Sequence, residues 1–215
     1  TIFLMPSKNR IKQYAEDGHY HAYNRGVGKN LIFKESQDYL VFISYLKELL
    51  SPPVPPTEEE VRLMKYSYIK KNYHGEIELL AFCLMPNHFH LLLKQNQPRS
   101  IESFMRSLGI RYSGYFNKHH ERVGHLFQDT YKGVLIQNDE YLWWLSRYIH
   151  RNPAEFGGQD PLSSYPYSSY ASYIGMSHPA WICPEMILGN FKDYRSFVED
   201  EPKDIPEFIE DFYLE

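Results

Sequence analysis

The chain has 215 residues, 43% of them hydrophobic and 16% aromatic, which is enough apolar material for one ordinary domain with an appendage and excludes disorder as the default. Two isolated cysteines, Cys83 and Cys183, exclude a disulfide scaffold and suggest a reducing, cytoplasmic setting, and no apolar run is long enough to span a bilayer. The formal net charge of −4 speaks against nucleic acid only as an average.

Residues 1–18 are mixed in character and read as peripheral. His19 to Gly26 predicts a first strand ending in a turn, since Asn24-Arg25-Gly26 suits a turn and glycine takes positive φ freely. Lys34 to Leu50 predicts a helix. Ser36 can cap it, Asp38 sits in its first turn, and Leu40, Ile43, Leu46, Leu49 and Leu50 form an apolar stripe. Pro52, Pro53, Pro55 and Pro56 stop it. Thr57 then opens a charged helical segment through about Tyr73, a helical insertion spanning about residues 51–75.

The stretch Leu84-Met85-Pro86-Asn87-His88-Phe89-His90-Leu91-Leu92-Leu93-Lys94 organises the rest. Ile77 to Lys94 predicts two strands joined near Met85-Pro86. Side chains on a strand alternate faces, so His88 and His90 point one way and Phe89 the other. Two imidazoles side by side on a strand can bind one metal ion with little reorganisation. His19 and His21 form a second His-x-His pair. They rank lower because they open a strand instead of lying in its apolar interior.

Ser100 predicts the cap of a helix running to about His119, with Ile101, Phe104, Met105, Leu108 and Tyr112 as its apolar side. Between Lys94 and Lys132 seven bases, Lys94, Arg99, Arg106, Arg111, Lys118, Arg122 and Lys132, face only Glu102, Glu121 and Asp129. Such a run is either a solvated face or a track for phosphates. Gly124 to Gln128 and Tyr131 to Ile136 read as a turn and a strand. Asn138 caps the next helix, Asp139 to Asn152, which Leu142, Leu145 and Ile149 anchor and Pro153 ends. Short helices follow around Pro184 to Leu188 and Tyr194 to Glu199. From Glu185 to Glu215 ten acids face three bases, so this end carries −7 and the remaining residues +3. The order of elements predicts an α+β fold with helices on one face of an antiparallel sheet.

Tyr148 and Asn152 are four residues apart and share a helical face. Beside His88 and His90, Asn152 could add a neutral oxygen to the metal and Tyr148 could attack a bound phosphate. The plainer reading makes Tyr148 amphipathic packing and Asn152 a helix C-terminal cap. The residues alone leave both open.

Five strings resemble the single-tyrosine HUH transposases, in family order: Tyr20 to Gly26, Leu84 to Leu92, Tyr115-Phe116-Asn117, Gly124 to Gln128 and Arg147 to Pro153. The nearer likeness is to the branch holding the REP-associated tyrosine transposases, and it covers about residues 19–175. It implies a ferredoxin-like α+β domain, placed over about residues 1–175, and a homodimer that cuts and rejoins single-stranded or hairpin DNA; the small helical acidic extension over 176–215, read from its charge, lies outside the match. It implies His88, His90 and Asn152 as ligands of Mg²⁺ or Mn²⁺ and Tyr148 as the nucleophile. His21 lies in a family motif but is not assigned to the metal. Asp129-Thr130-Tyr131 departs from the pattern, since many relatives carry an arginine nearby, a contact that could have moved to Lys132.

Arg25, Arg106, Arg111, Lys118, Arg122 and Lys132 are the candidates for DNA phosphates. The implied setting is the cytoplasm, on the nucleoid when DNA is bound. Two rival classes share these residues: a non-cleaving binder of DNA hairpins derived from a transposase, and a His-x-His metal hydrolase with water as nucleophile.

Overall fold

In the computed structural model, which describes residues 15–55, 71–155, 161–202, 206 and 208, four strands form one sheet. They are β1 (His19–Arg25), β2 (Ile77–Met85), β3 (His88–Gln95) and β4 (Lys132–Ile136), in the order β2-β3-β1-β4 with every neighbouring pair antiparallel. Helix α1 (Ser36–Leu50) connects β1 to β2, and α2 (Ser100–His119) connects β3 to β4. This is the ferredoxin-like arrangement expected. The expected helix from Thr57 onward lies largely outside the described residues.

The strand period divides the buried residues between two faces. Tyr20 and Ala22 of β1, Phe82 and Leu84 of β2, and Phe89, Leu91 and Leu93 of β3 pack with Phe42, Leu46 and Leu49 of α1 and Phe104, Leu108 and Tyr112 of α2. On the other face Cys83, Met85, Leu92 and Ile136 pack with Leu142, Leu145 and Ile149 of α3 (Asp139–Glu155). Short helices α4 (Tyr170–Tyr173), α5 (Glu185–Leu188) and α6 (Tyr194–Glu199) complete that layer. The expectation of helices on one face therefore holds for α1 and α2 and is corrected by α3. A bulge between Leu79 and Ala81 puts Leu80 and Ala81 together on the α3 side, which periodicity alone does not foresee.

Local chemistry corrects four smaller expectations. Ser36 is the first residue of α1, and Glu35 is its cap, in a capping box with Asp38. Leu40 is exposed, so the buried stripe runs through Tyr39 and Phe42 instead. Ser100 likewise opens α2 without capping it, and its hydroxyl donates to Glu76 Oε2 over 2.8 Å. Pro153 does not end α3, which runs on to Glu155. Pro153 lacks the N–H that would bond the Ile149 carbonyl, and its ring crowds that carbonyl, yet the chain keeps helical form for two residues more. Asn138 does cap the start of α3, accepting from the Tyr141 amide at 2.8 Å.

Two close approaches place the β2–β3 hairpin against the end of β1. The hairpin loop is Pro86-Asn87; the Pro86 carbonyl accepts from the Ile32 and Phe33 amides at 2.9 and 3.0 Å, and the Gly26 amide donates to the Asn87 carbonyl at 2.9 Å. Gly26 has φ −63°, so positive φ is not why glycine stands there. A Cβ at Gly26 would lie 2.1 Å from the Asn30 carbonyl oxygen, and only glycine leaves room.

Candidate active site

His88 and His90 lie on β3 and face α3. His90 sits across from Tyr23 on β1, and His88 across from Arg25. The two histidine rings meet edge to face at 4.9 Å. Helix α3 brings two more groups. Asn152 is buried, with Oδ1 3.3 Å from His88 Nε2. The Tyr148 ring lies edge-on to His90 at 5.5 Å. Residues 64 positions apart, His88 and Asn152, thus converge as the shared-face argument requires.

The hydrogen bonds around these groups orient their lone pairs. His88 Nδ1 lies 2.7 Å from Asn87 Oδ1, so it carries the proton and donates. His88 Nε2 then presents a lone pair. Asn152 Nδ2 donates to the Tyr148 carbonyl at 3.0 Å, which turns Oδ1 toward His88. A nitrogen lone pair and an amide oxygen therefore face each other, an arrangement that a cation between them would stabilise. Burial, with a smaller push from Arg25, lowers the His88 pKa to about 4, against Asn152 Oδ1, which accepts from Nε2 only when the ring is protonated. Burial also holds His90 well below its usual range, with His21, His88 and Arg25 adding to it. Neutral imidazoles at neutral pH are the form that binds metal.

His21 is a partner of the site that sequence reasoning leaves aside. It is buried, its Nε2 shares a 2.9 Å hydrogen bond with His90 Nδ1, and its ring stacks on His90 at 5.1 Å. Fixing Nδ1 leaves Nε2 as the nitrogen with which His90 can meet a ligand, the arrangement by which a metal-binding histidine is oriented from behind. Burial lowers the His21 pKa to about 3. Its sequence partner His19 turns away, with Nε2 3.0 Å from Met186 Sδ, so the rival pair does not converge. Tyr23 stacks on His90 at 5.9 Å, and Lys132 Nζ lies 5.3 Å over the Tyr23 ring. The signal that could have found His21 and Tyr23 is their period-two spacing on β1. What the sequence does not print is the β1–β3 pairing.

The far side of α3 is tied down. Arg147 Nε and Nη2 donate to the carbonyls of Phe197 and Asp200 at 2.7 and 2.8 Å, and Arg151 Nη1 donates to that of Val198 at 2.8 Å. These arginines satisfy carbonyls at the end of α6. His150 is buried between Tyr194 Oη and Ser169 Oγ, each at 2.8 Å. It faces away from the Tyr148 side. The region beyond residue 176, expected as an acidic appendage, thus supplies the surface on which the tyrosine helix rests.

The six expected DNA contacts separate. Arg25 and Lys132 flank the histidine site, at the end of β1 and the start of β4. Arg106 and Lys118 are exposed on α2, on the opposite side of the sheet. Arg111 reaches Glu48 at 3.4 Å, and Arg122 holds Asn117 and the His125 carbonyl at 3.1 and 2.6 Å. Among the described residues, no helix is long and apolar enough to cross a membrane.

Comparison with known proteins agrees with the motif resemblance. A family model described as Transposase IS200 like matches residues 57–152. A curated protein of Haemophilus influenzae, named as a REP-associated tyrosine transposase, is 26% identical over 109 residues. That match covers 45% of this chain and 61% of the relative's length. The solved structure of a REP-associated tyrosine transposase bound to a REP hairpin superposes with a TM-score of 0.54 at 14% identity, covering 82% of this chain and 92% of that one. The last likeness concerns the fold.

Proposed function

We propose that this chain, a relative of the IS200-like transposases, is a metal-dependent single-stranded DNA transposase or endonuclease that cleaves and rejoins DNA through a 5′-phosphotyrosine. The observation that carries the reading is the facing pair of acceptors, His88 Nε2 and Asn152 Oδ1 at 3.3 Å, beside the Tyr148 ring. His88, His90 and Asn152 would hold Mg²⁺ or Mn²⁺. When bound, such an ion polarises the scissile phosphate and offsets charge on it. Tyr148 Oη attacks phosphorus in line, the P–O3′ bond breaks, and the phenolic proton balances the 3′-oxygen released as a hydroxyl. The tyrosyl ester keeps the bond energy, so a 3′-hydroxyl can reverse the step without ATP.

His21 orients His90, and Asn87 orients His88. Arg25 and Lys132 are proposed to hold phosphates next to the cleavage point, and Arg106 and Lys118 the more distant backbone. Arg111 and Arg122, engaged within the fold, are proposed to contact DNA from those anchored positions. The substrate class is single-stranded or hairpin DNA, supported by the motifs and by the REP hairpin bound to the structural neighbour. All four site residues come from one chain. The homodimer implied by the resemblance is therefore proposed as an assembly and not as a condition of cleavage.

The test is a denaturing gel of purified protein, Mn²⁺ and end-labelled single-stranded and hairpin oligonucleotides drawn from the sequence flanking the gene. A covalent protein–DNA band that disappears in Tyr148→Phe and with EDTA is the expected result. Cleavage without an adduct would replace the proposal with a metal hydrolase. Tight hairpin binding with no product would replace it with a binding protein.

A further inference from the structure

A second set of metal-ligating side chains lies on the α1/α2 side of the sheet. Glu35 caps α1 and Asp38 sits in its first turn, while His119 ends α2 and His120 is its C-terminal cap. The donor atoms of these four residues all lie within 4.8 Å of one another. Among the described residues no other group of three or more His, Cys, Asp or Glu side chains converges in this way.

Consecutive residues of a continuing helix point about 100° apart. His119 and His120 would diverge if α2 ran on. The helix stops between them, His120 takes φ −99° and ψ 16°, and both Nε2 atoms face the start of α1. His119 Nε2 lies 2.5 Å from Glu35 Oε1, and His120 Nε2 lies 3.0 Å from each Asp38 oxygen. The rings are held by their neighbours, His119 stacked on Tyr115 at 5.3 Å and His120 against Phe116 at 4.4 Å. Asp38 is wholly buried, and the amides of Lys34 and Glu35 fix one oxygen at 2.8 and 3.2 Å. Tyr115 Oη donates to the other at 3.1 Å.

We propose that Glu35, Asp38, His119 and His120 form a second, structural metal site, separate from the His88/His90 site and suited to Zn²⁺. Two imidazole nitrogens and two carboxylate oxygens are a tetrahedral zinc set, whose donors stand about 3.3 Å apart when the bonds are near 2.0 Å. To reach that value the 2.5 Å His119–Glu35 pair must open and the other donors, all within 4.8 Å, draw in by up to about 1.5 Å. With neutral imidazoles the two carboxylates carry −2, which one divalent ion balances. The mixed nitrogen and oxygen set favours zinc over magnesium, which prefers oxygen. Asp38 is oriented by amides and a phenol, as a ligand carboxylate needs to be. Glu35 and His119 are half exposed and leave the ion a way in. Occupation would staple the start of α1 to the end of α2.

The experiment uses the full chain with His88→Ala and His90→Ala, which removes the other site, dialysed against Zn²⁺ alone and assayed for bound metal. It is compared with the same protein also carrying His119→Ala and His120→Ala. We expect the second protein to hold one zinc fewer per chain. We expect the first to gain roughly 5–10 °C in Tm at zinc a hundredfold above its Kd, and the second not to. Equal zinc content in both proteins, or no zinc in the first, overturns the proposal. Should the fourfold variant fail to fold, Glu35→Gln at the half-exposed ligand keeps the test. It should weaken zinc binding at least tenfold, and unchanged affinity overturns the proposal just as firmly.

Discussion

The two faces of one sheet are built from the same strands and do different work. Phe89 and His90 are consecutive on β3. Phe89 turns toward α1 and α2, where it packs on Phe42 at 5.1 Å and Phe127 at 5.8 Å. His90 turns toward α3, where its contacts are His21, Tyr23, His88 and Tyr148. Around Phe89 the first face needs only shape and burial, its polar cluster at Asp38 lying apart at the helix ends. The second keeps polar groups buried and can do so because each is oriented by another. The lesson is that a single period-two strand can separate an apolar core from a buried polar cluster by one residue.

The sharpest way to break this comparison is to truncate both neighbours. Phe89→Ala should lose about 3–5 kcal/mol, because a buried ring leaves a cavity on the dry face. Adduct formation by the fraction that stays folded should persist. His90→Ala should do the reverse, reducing adduct formation below detection while chemical denaturation shows a far smaller loss. Denaturation midpoints and gel assays on both variants decide the matter. If Phe89→Ala abolished cleavage in folded protein, or His90→Ala proved the more destabilising, the division of labour between the faces would be wrong.

The next effect concerns pH. Burial lowers the His150 pKa to about 3 in the folded protein. Above pH 6.5 the residue is neutral in both states, and its contribution is constant. Below 6.5 the unfolded chain takes up the proton first, so stability falls with pH until the folded form protonates near 3. For one such group the loss between pH 6.5 and 5.0 is up to roughly 2 kcal/mol. Urea unfolding at pH 7 and 5 should show a smaller difference for His150→Gln than for the unaltered chain. A loss of equal size in both would mean that the second face does not depend on a neutral His150.

How much of this was legible follows from what a sequence encodes locally. The strand alternation that sets His88 and His90 together, and the helical spacing that joins Tyr148 to Asn152, are short-range and could be read from the residues. The pairing of His21 with His90 spans 69 positions and depends on which strand lies beside which. No local pattern states that adjacency. The role of the end of the chain was hidden for the same reason, since the bonds from Arg147 to Phe197 and Asp200 cross 50 and 53 positions. Pro153 and Ser36 mislead for a different reason. Several residues at a helix terminus can each satisfy the local rule, and packing selects among them.

The smallest effect tests whether α3 acts as a rigid unit. Asn138 Oδ1 accepts from the Tyr141 amide at the start of the helix, ten residues before Tyr148 and on exposed surface. Asn138→Ala should remove about 1 kcal/mol, the usual value of such a cap. For a domain of this size that is about 2–4 °C in Tm. The adduct rate should stay within twofold, because the site end of α3 is held separately by Leu145 and Ile149 in the core and by Arg147 and Arg151 on α6. A thermal scan and a time course on the same preparation suffice. If the rate fell tenfold while Tm moved only a few degrees, fraying at the start of α3 would be reaching Tyr148. The α6 contacts would then not isolate the site from its own helix, and the second face would be less preorganised than its hydrogen bonds imply.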